Sequence, residues 1–143
     1  MTTADTGAPA SRVLTQGVAC DWRHAYRWTA EPANLPEWAS GLAEGAIRPL
    51  AGSDDQWEVE TPGGRATLRF APPNAFGMLD HWVQPPGVAE VYVPFRVIAT
   101  GQGRCELQMT LLRQPGMDDA AFERDSAWIA RDLLALARVL EAN

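Results

Sequence analysis

The chain has 143 residues, with 12 arginines and no lysine set against 18 acidic residues, for a net charge of −6. That length fits one domain, and a chain of this size can bury roughly two-thirds of its unfolded surface without a disulfide or metal staple. The acidic balance argues against nucleic-acid or anionic-membrane partners, and no apolar run approaches the roughly 18–20 residues of a membrane span.

Residues 1–11 are small and polar, with neither a basic start nor an apolar stretch, and read as a disordered tail rather than a secretory signal. A cytoplasmic location is the expectation. Residues 12–20 read as a strand with Leu14, Val18 and Cys20 on its inner face. Asp21 stands where an N-cap carboxylate would accept orphan amides, starting a short helix over residues 22–29. A second short helix is expected over residues 34–42, bounded by glycines.

From Ala46 to Arg113 the pattern alternates. Gly63-Gly64 predicts a two-residue hairpin, setting Val59 opposite Leu68, Trp57 opposite Phe70 and Glu58 opposite Arg69. Residues 84–87 predict a longer turn between strands at 76–83 and 88–100. In the second of these, Ala89, Val91, Val93, Phe95, Val97 and Ala99 form one apolar face. A three-residue loop at 101–103 pairs Val97 with Leu107, Phe95 with Met109 and Val93 with Leu111; a two-residue loop would put Glu106 and Gln108 in the core. Asp118 or Asp119 then caps a helix running to about Glu141, with Phe122, Ile129, Leu133, Leu136 and Leu140 as its buried stripe.

Cys20 and Cys105 form no CxxC motif, and His24 and His81 are the two histidines of the chain. No motif therefore points to a metal or an organic cofactor. The thiols read as free, small buried groups, and His24 reads as a surface residue. Without lysine, Schiff-base chemistry on a lysine side chain is excluded.

The order strand, two short helices, six strands and one long helix, with the segments AEPANLPEWASGL, FGMLDHWV, VYVPFRV and PGMDDAAFERDSAWIARDLLALARVLE, resembles the helix-grip superfamily, also called START-like or SRPBCC. Its members include birch-pollen-allergen-like proteins and bacterial polyketide cyclases. The resemblance covers about residues 12–142. It implies an α+β domain in which a curved seven-stranded antiparallel sheet grips the C-terminal helix, leaving a hydrophobic pocket between them. It also implies that the first and last strands pair, making Cys20 and Cys105 near neighbours. Fold alone does not deliver activity.

A pocket of that kind would be lined from the sheet by Trp57, Phe70, Met78, Trp82, Val91, Val93, Phe95, Met109 and Leu111. The short helix would supply Trp38 at the entrance, and the long helix Trp128, Ile129 and Leu133. Its candidate proton-transfer groups are Asp80 and His81. An even count in the 84–87 turn sets Val83 opposite Val88 and Asp80 opposite Val91, so Asp80 points inward with Met78 and Trp82. An odd count puts His81 inward instead. A desolvated carboxylate would have a raised pKa, as general acid–base chemistry requires.

Three functions fit these residues. The first is binding of a small hydrophobic or amphipathic molecule. The second is a polyketide cyclase- or dehydrase-like enzyme using Asp80 or His81. The third is a co-chaperone-like interaction protein. Tyr92, Pro94 and Ile98 on the outer face offer a patch for a homodimer.

Overall fold

The computed structural model describes residues 10–40 and 45–143. The expected tail falls outside them up to residue 9, and so do Gly41 and Leu42 at the end of the expected second helix. Strand β1 (Ser11–Val18) leads into α1 (Trp22–Ala30) and a 3-10 helix (Pro32–Glu37). The strands β2 (Ile47–Pro49), β3 (Gln56–Thr61), β4 (Gly64–Phe70), β5 (His81–Gln84), β6 (Val91–Val93), β7 (Phe95–Gly101) and β8 (Arg104–Leu112) follow, and α2 (Asp119–Ala142) closes the chain.

Hydrogen bonding divides the strands into two antiparallel sheets, β1-β8-β7 and β2-β3-β4-β5-β6. The expected single strand through residues 88–100 is split at Pro94, which has no N–H to give a ladder. The chain remains extended across the break: the Pro94 carbonyl accepts from Thr110 N at 2.9 Å, and Leu79 N donates to Phe95 O at 2.8 Å. With β6 and β7 taken as one strand bent at Pro94, the two sheets join into the seven-stranded helix-grip arrangement expected from sequence.

Register decides which side chains face α2. Across the larger sheet, Trp57 pairs with Leu68, Leu68 with Val83 and Val83 with Val91, while Phe70 pairs with His81 and His81 with Val93. Across the smaller one, Phe95 and Val97 pair with Met109 and Leu107 as expected, but not through a three-residue loop: Gly101 pairs with Arg104 across the two-residue turn Gln102-Gly103, and an irregularity between Ala99 and Gly101 restores the register. The first hairpin corrects the expectation. Thr61 pairs with Gly64, so Pro62 and Gly63 form the corner, and Val59 meets Ala66 rather than Leu68. Gly64 alone of the two glycines has positive φ, at 123°, which excludes the type I′ geometry. The slip is by two residues in pairing, so the inner face is unchanged.

The ends of α2 are fixed by polar contacts. Asp118 caps it by accepting from Ala121 N at 2.8 Å. Arg12 forks onto Glu123 at 2.8 and 2.9 Å, with its guanidinium 5.0 Å from the Phe122 ring. Near the C-terminus, Glu141 accepts from Ala19 N at 2.8 Å. Between these anchors Leu133, Leu136, Ala137 and Leu140 join one core with Val59, Leu68, Val97 and Leu107, each large aliphatic side chain contributing about 1.5–3 kcal/mol of burial. The second short helix is 3-10 rather than α and ends at Glu37, with Pro32 at its start and Pro36 inside. Pro36 lacks the N–H that an α-helix would use at that position, whereas Pro32 at the first position costs the helix no bond.

Candidate functional site

Between the inner sheet face, α1, the 3-10 helix and α2 lie two adjoining hollows, or lobes. The first, about 410 Å³, is bounded by Tyr26, Thr29, Trp57, Phe70, Met78 and Phe95 among others. The second, about 260 Å³, lies against α2 and is bounded by Val83, Val93, Met109, Leu111, Trp128 and Ile129 among others. Both lobes share Leu35, Trp38 and His81. The first falls within the size range of small-molecule sites and the second just below it.

His81 is the polar centre of this arrangement. It is 6% exposed, and its ring lies 6.0 Å from Phe70 and 6.3 Å from Phe95. The Trp38 ring covers Phe95 at 5.9 Å. Nδ1 of His81 lies 3.1 Å from the Leu79 carbonyl. A carbonyl can only accept, so Nδ1 carries the hydrogen in the neutral ring and Nε2 holds a lone pair. Burial pushes the His81 pKa down, outweighing the opposing pull of the Leu79 carbonyl and the Asp80 charge. The imidazole is therefore neutral at pH 7, with a basic nitrogen on a residue common to both lobes.

Asp80 takes a different part. Only 4% exposed, it borders the first lobe, but its carboxylate is committed to Tyr92 Oη, Arg96 and the backbone N–H of Phe95, the last at 2.9 Å. These partners tie the segment before β5 to the bend at Pro94. The odd-count register is the one adopted: Val83 pairs with Val91, not Val88. That puts His81 on the inner face, and the even-count expectation with Asp80 inward and opposite Val91 is overturned. Residues 85–90 stay out of the ladder because Gly87 turns at φ 71° and the Gln84 side chain bonds the Val88 carbonyl.

The same register corrects Trp82. It pairs with Tyr92, stacks on it at 5.3 Å and carries the Arg69 guanidinium 4.2 Å above its ring, all on the outer face. Val91 faces inward but borders neither lobe, and Leu133, fully buried on the inner side of α2, borders neither as well. The structure brings Trp38, Trp57, Phe70, Met78, Val93, Phe95, Met109, Leu111, Trp128 and Ile129 to the cavity walls. Sequence reasoning missed Tyr26, Thr29 and Leu35, which the short helices supply, and Asp125 and Asp132 from α2. The two aspartates flank Trp128 at spacings of three and four residues, a signal for one helix face.

Arg27, Glu31, Asp54 and Asp55 also border the first lobe, whereas His24 and the two cysteines border neither lobe. His24, expected at the surface, is half-buried, and its Nε2 is shut off without a partner among the described residues. Cys20 and Cys105 are free. Burial and the neighbouring Cys20 push the Cys105 thiol up to about 12. Among the described residues no group of three His, Cys, Asp or Glu side chains is placed to hold a metal ion, and no helix is long and apolar enough to cross a membrane.

No protein-family model and no curated protein matches the sequence. Solved structures do match the fold. The di-domain ARO/CYC protein BexL from the BE-7585A biosynthetic pathway superposes with a TM-score of 0.69 at 18% identity, over 90% of this chain and 45% of its own. A START superfamily protein from Mycobacterium smegmatis gives 0.60 at 16% identity, over 92% and 94% of the two chains. Ara h 8.0201 gives 0.67 at 10% identity, over 93% and 98%. The chain has the helix-grip fold of START-like proteins.

Proposed function

We propose that this protein binds a small hydrophobic or amphipathic molecule in the two lobes that the inner sheet face forms with the short helices and with α2. The observation that carries this reading is the pair of lobes that share Leu35, Trp38 and His81, walled mainly by aromatic and aliphatic side chains, with Arg27, Glu31, Asp54, Asp55 and Asp80 bordering the first and Asp125 and Asp132 the second. Burying apolar ligand surface there supplies roughly 25 cal/mol per Å², offset by the cost of association. Titration with the neutral dye N-phenyl-1-naphthylamine tests it. Wild-type protein is expected to enhance the dye's emission with saturation. Val93→Trp, which fills the second lobe, is expected to weaken binding by about tenfold or more while unfolding cooperatively on heating. No saturable enhancement, or equal affinity in the folded variant, contradicts the reading.

A second reading, proton transfer of the cyclase or dehydrase kind, draws on the neutral His81 with its Nε2 lone pair in the cavity wall. Catalysis of that kind asks for a second group acting with the base. The Asp80 carboxylate, held by Tyr92, Arg96 and Phe95 N, is already engaged. Binding therefore ranks ahead of catalysis. A co-chaperone-like role draws on no comparable surface feature among the described residues.

A further inference from the structure

We propose that Cys20 and Cys105 are a redox modification site: a peroxide oxidises Cys20, and Cys105 then closes the pair into a disulfide that ties the start of α1 to β8. Strand pairing brings the two residues together. β1 and β8 run antiparallel with Val18 opposite Cys105. Cys20 follows two residues later and packs against the core cluster that holds both Val18 and Cys105. The two thiols lie within hydrogen-bonding reach of each other. The backbone on either side of Cys20 is held in place. Ala19 N donates to Glu141 at 2.8 Å, and Asp21 caps α1 by accepting from Arg23 N at 3.0 Å.

The two sulfurs are not equivalent. Cys20 is half-buried, whereas Cys105 is 1% exposed. Burial raises the pKa of both; the hydrogen bond from Cys105 draws that of Cys20 back down, while Cys105 is pushed up to about 12. The thiolate is the nucleophile, so Cys20 reacts first. Its sulfur attacks one oxygen of hydrogen peroxide: an S–O bond forms, the O–O bond breaks, and the departing hydroxide is protonated to water. The Cys105 sulfur then attacks the Cys20 sulfenic acid. The S–S bond forms, the S–O bond breaks, and the sulfenic hydroxyl leaves as water with the Cys105 proton. Two thiols and one peroxide thus give one disulfide and two waters, two electrons passing from sulfur to oxygen. Contact between the sulfurs offsets the high pKa of the second thiol, because the step is intramolecular. The bond closes a loop of more than half the chain, and a long loop is where a cross-link restricts the unfolded state most. It also fastens the helix whose Tyr26 and Thr29 border the first lobe.

The test exposes the reduced full chain to hydrogen peroxide at pH 8 and alkylates the remaining thiols after denaturation. Peptide mass mapping is expected to show Cys20 joined to Cys105 within one chain, a link lost on treatment with dithiothreitol. The oxidised monomer is expected to melt about 5 °C or more above the reduced one. The rate of linking should rise about tenfold from pH 7 to pH 8, as the Cys20 thiolate fraction does. In Cys105→Ala, dimedone is expected to capture a sulfenic acid at Cys20; in Cys20→Ala, Cys105 should stay unoxidised at the same dose. The wild-type measurement stands without either variant. No linked peptide, or a link only between two copies, overturns the proposal. A linked form that melts no higher than the reduced chain overturns the tie between α1 and β8. Oxidation of Cys105 in Cys20→Ala as fast as linking in wild type, or a rate flat in pH, overturns the order of attack.

Discussion

His81 shows how one side chain couples stability to pH. It is buried beside Phe70 and Phe95, and burial holds its pKa below the usual value of about 6.5. The folded state thus binds fewer protons than the unfolded chain between the depressed folded value and about 6.5. Its contribution is present in full above about 6.5 and is lost as the pH falls toward the folded value, each unit of depression being worth about 1.4 kcal/mol. Urea unfolding is expected to show stability falling from pH 7.5 to 5, with a shallower fall in His81→Leu. A flat wild-type profile, or equal slopes in the two proteins, contradicts the assignment. The sequence placed one of Asp80 and His81 inside but not which one. Strand alternation has a period of two, so one residue in the turn decides, and that residue is settled by Gly87 and the Gln84 side chain rather than by any hydrophobic pattern.

The element that shapes the cavity is the chain bent at Pro94 together with the segment that braces it. Gly77 O accepts from Val97 N at 2.8 Å, and Leu79 N donates to Phe95 O, so residues 77–79 run along β7 before β5 begins. Asn74 stiffens the turn beforehand: its side-chain oxygen accepts from Phe76 N and Met78 N, and its side-chain nitrogen donates to Pro72 O and Met78 O. Gly77 sits at φ 70°, and a Cβ added there would overlap the Val97 carbonyl oxygen. Gly77→Ala is therefore expected to cost at least about 2 kcal/mol, the left-handed penalty plus the displacement of a buried strand, read as a lowered urea midpoint with an unchanged m-value. A loss under about 0.5 kcal/mol contradicts the close approach. Sequence alternation kept the inner face continuous through Val93, Phe95 and Val97, yet it gave no sign that the hydrogen-bond ladder breaks between them. Pro94 was visible as an outward residue; its missing donor is what divides the strand.

At the scale of the whole molecule, the fold was legible because its signals agree at every level: hairpin succession, an apolar inner face and a long amphipathic helix with a capping aspartate. The cavity was legible only in part. Sheet residues such as Trp57, Phe70, Val93 and Met109 follow from alternation, whereas Tyr26 and Thr29 reach it from α1 and Leu35 from the 3-10 helix that holds Pro32 and Pro36. Trp82 was misplaced by the same one-residue ambiguity that governs His81. The six tryptophans divide by this geometry into a group at the cavity and a group elsewhere. Their indole N–H signals therefore give a direct reading in a two-dimensional ¹H–¹⁵N spectrum, followed while 2-acetylnaphthalene is added. Saturable shifts of the Trp38 and Trp128 signals, with Trp82 on the outer face unmoved, are the predicted result. Shifts at Trp82 with none at Trp38 and Trp128 would contradict ligand binding in the cavity.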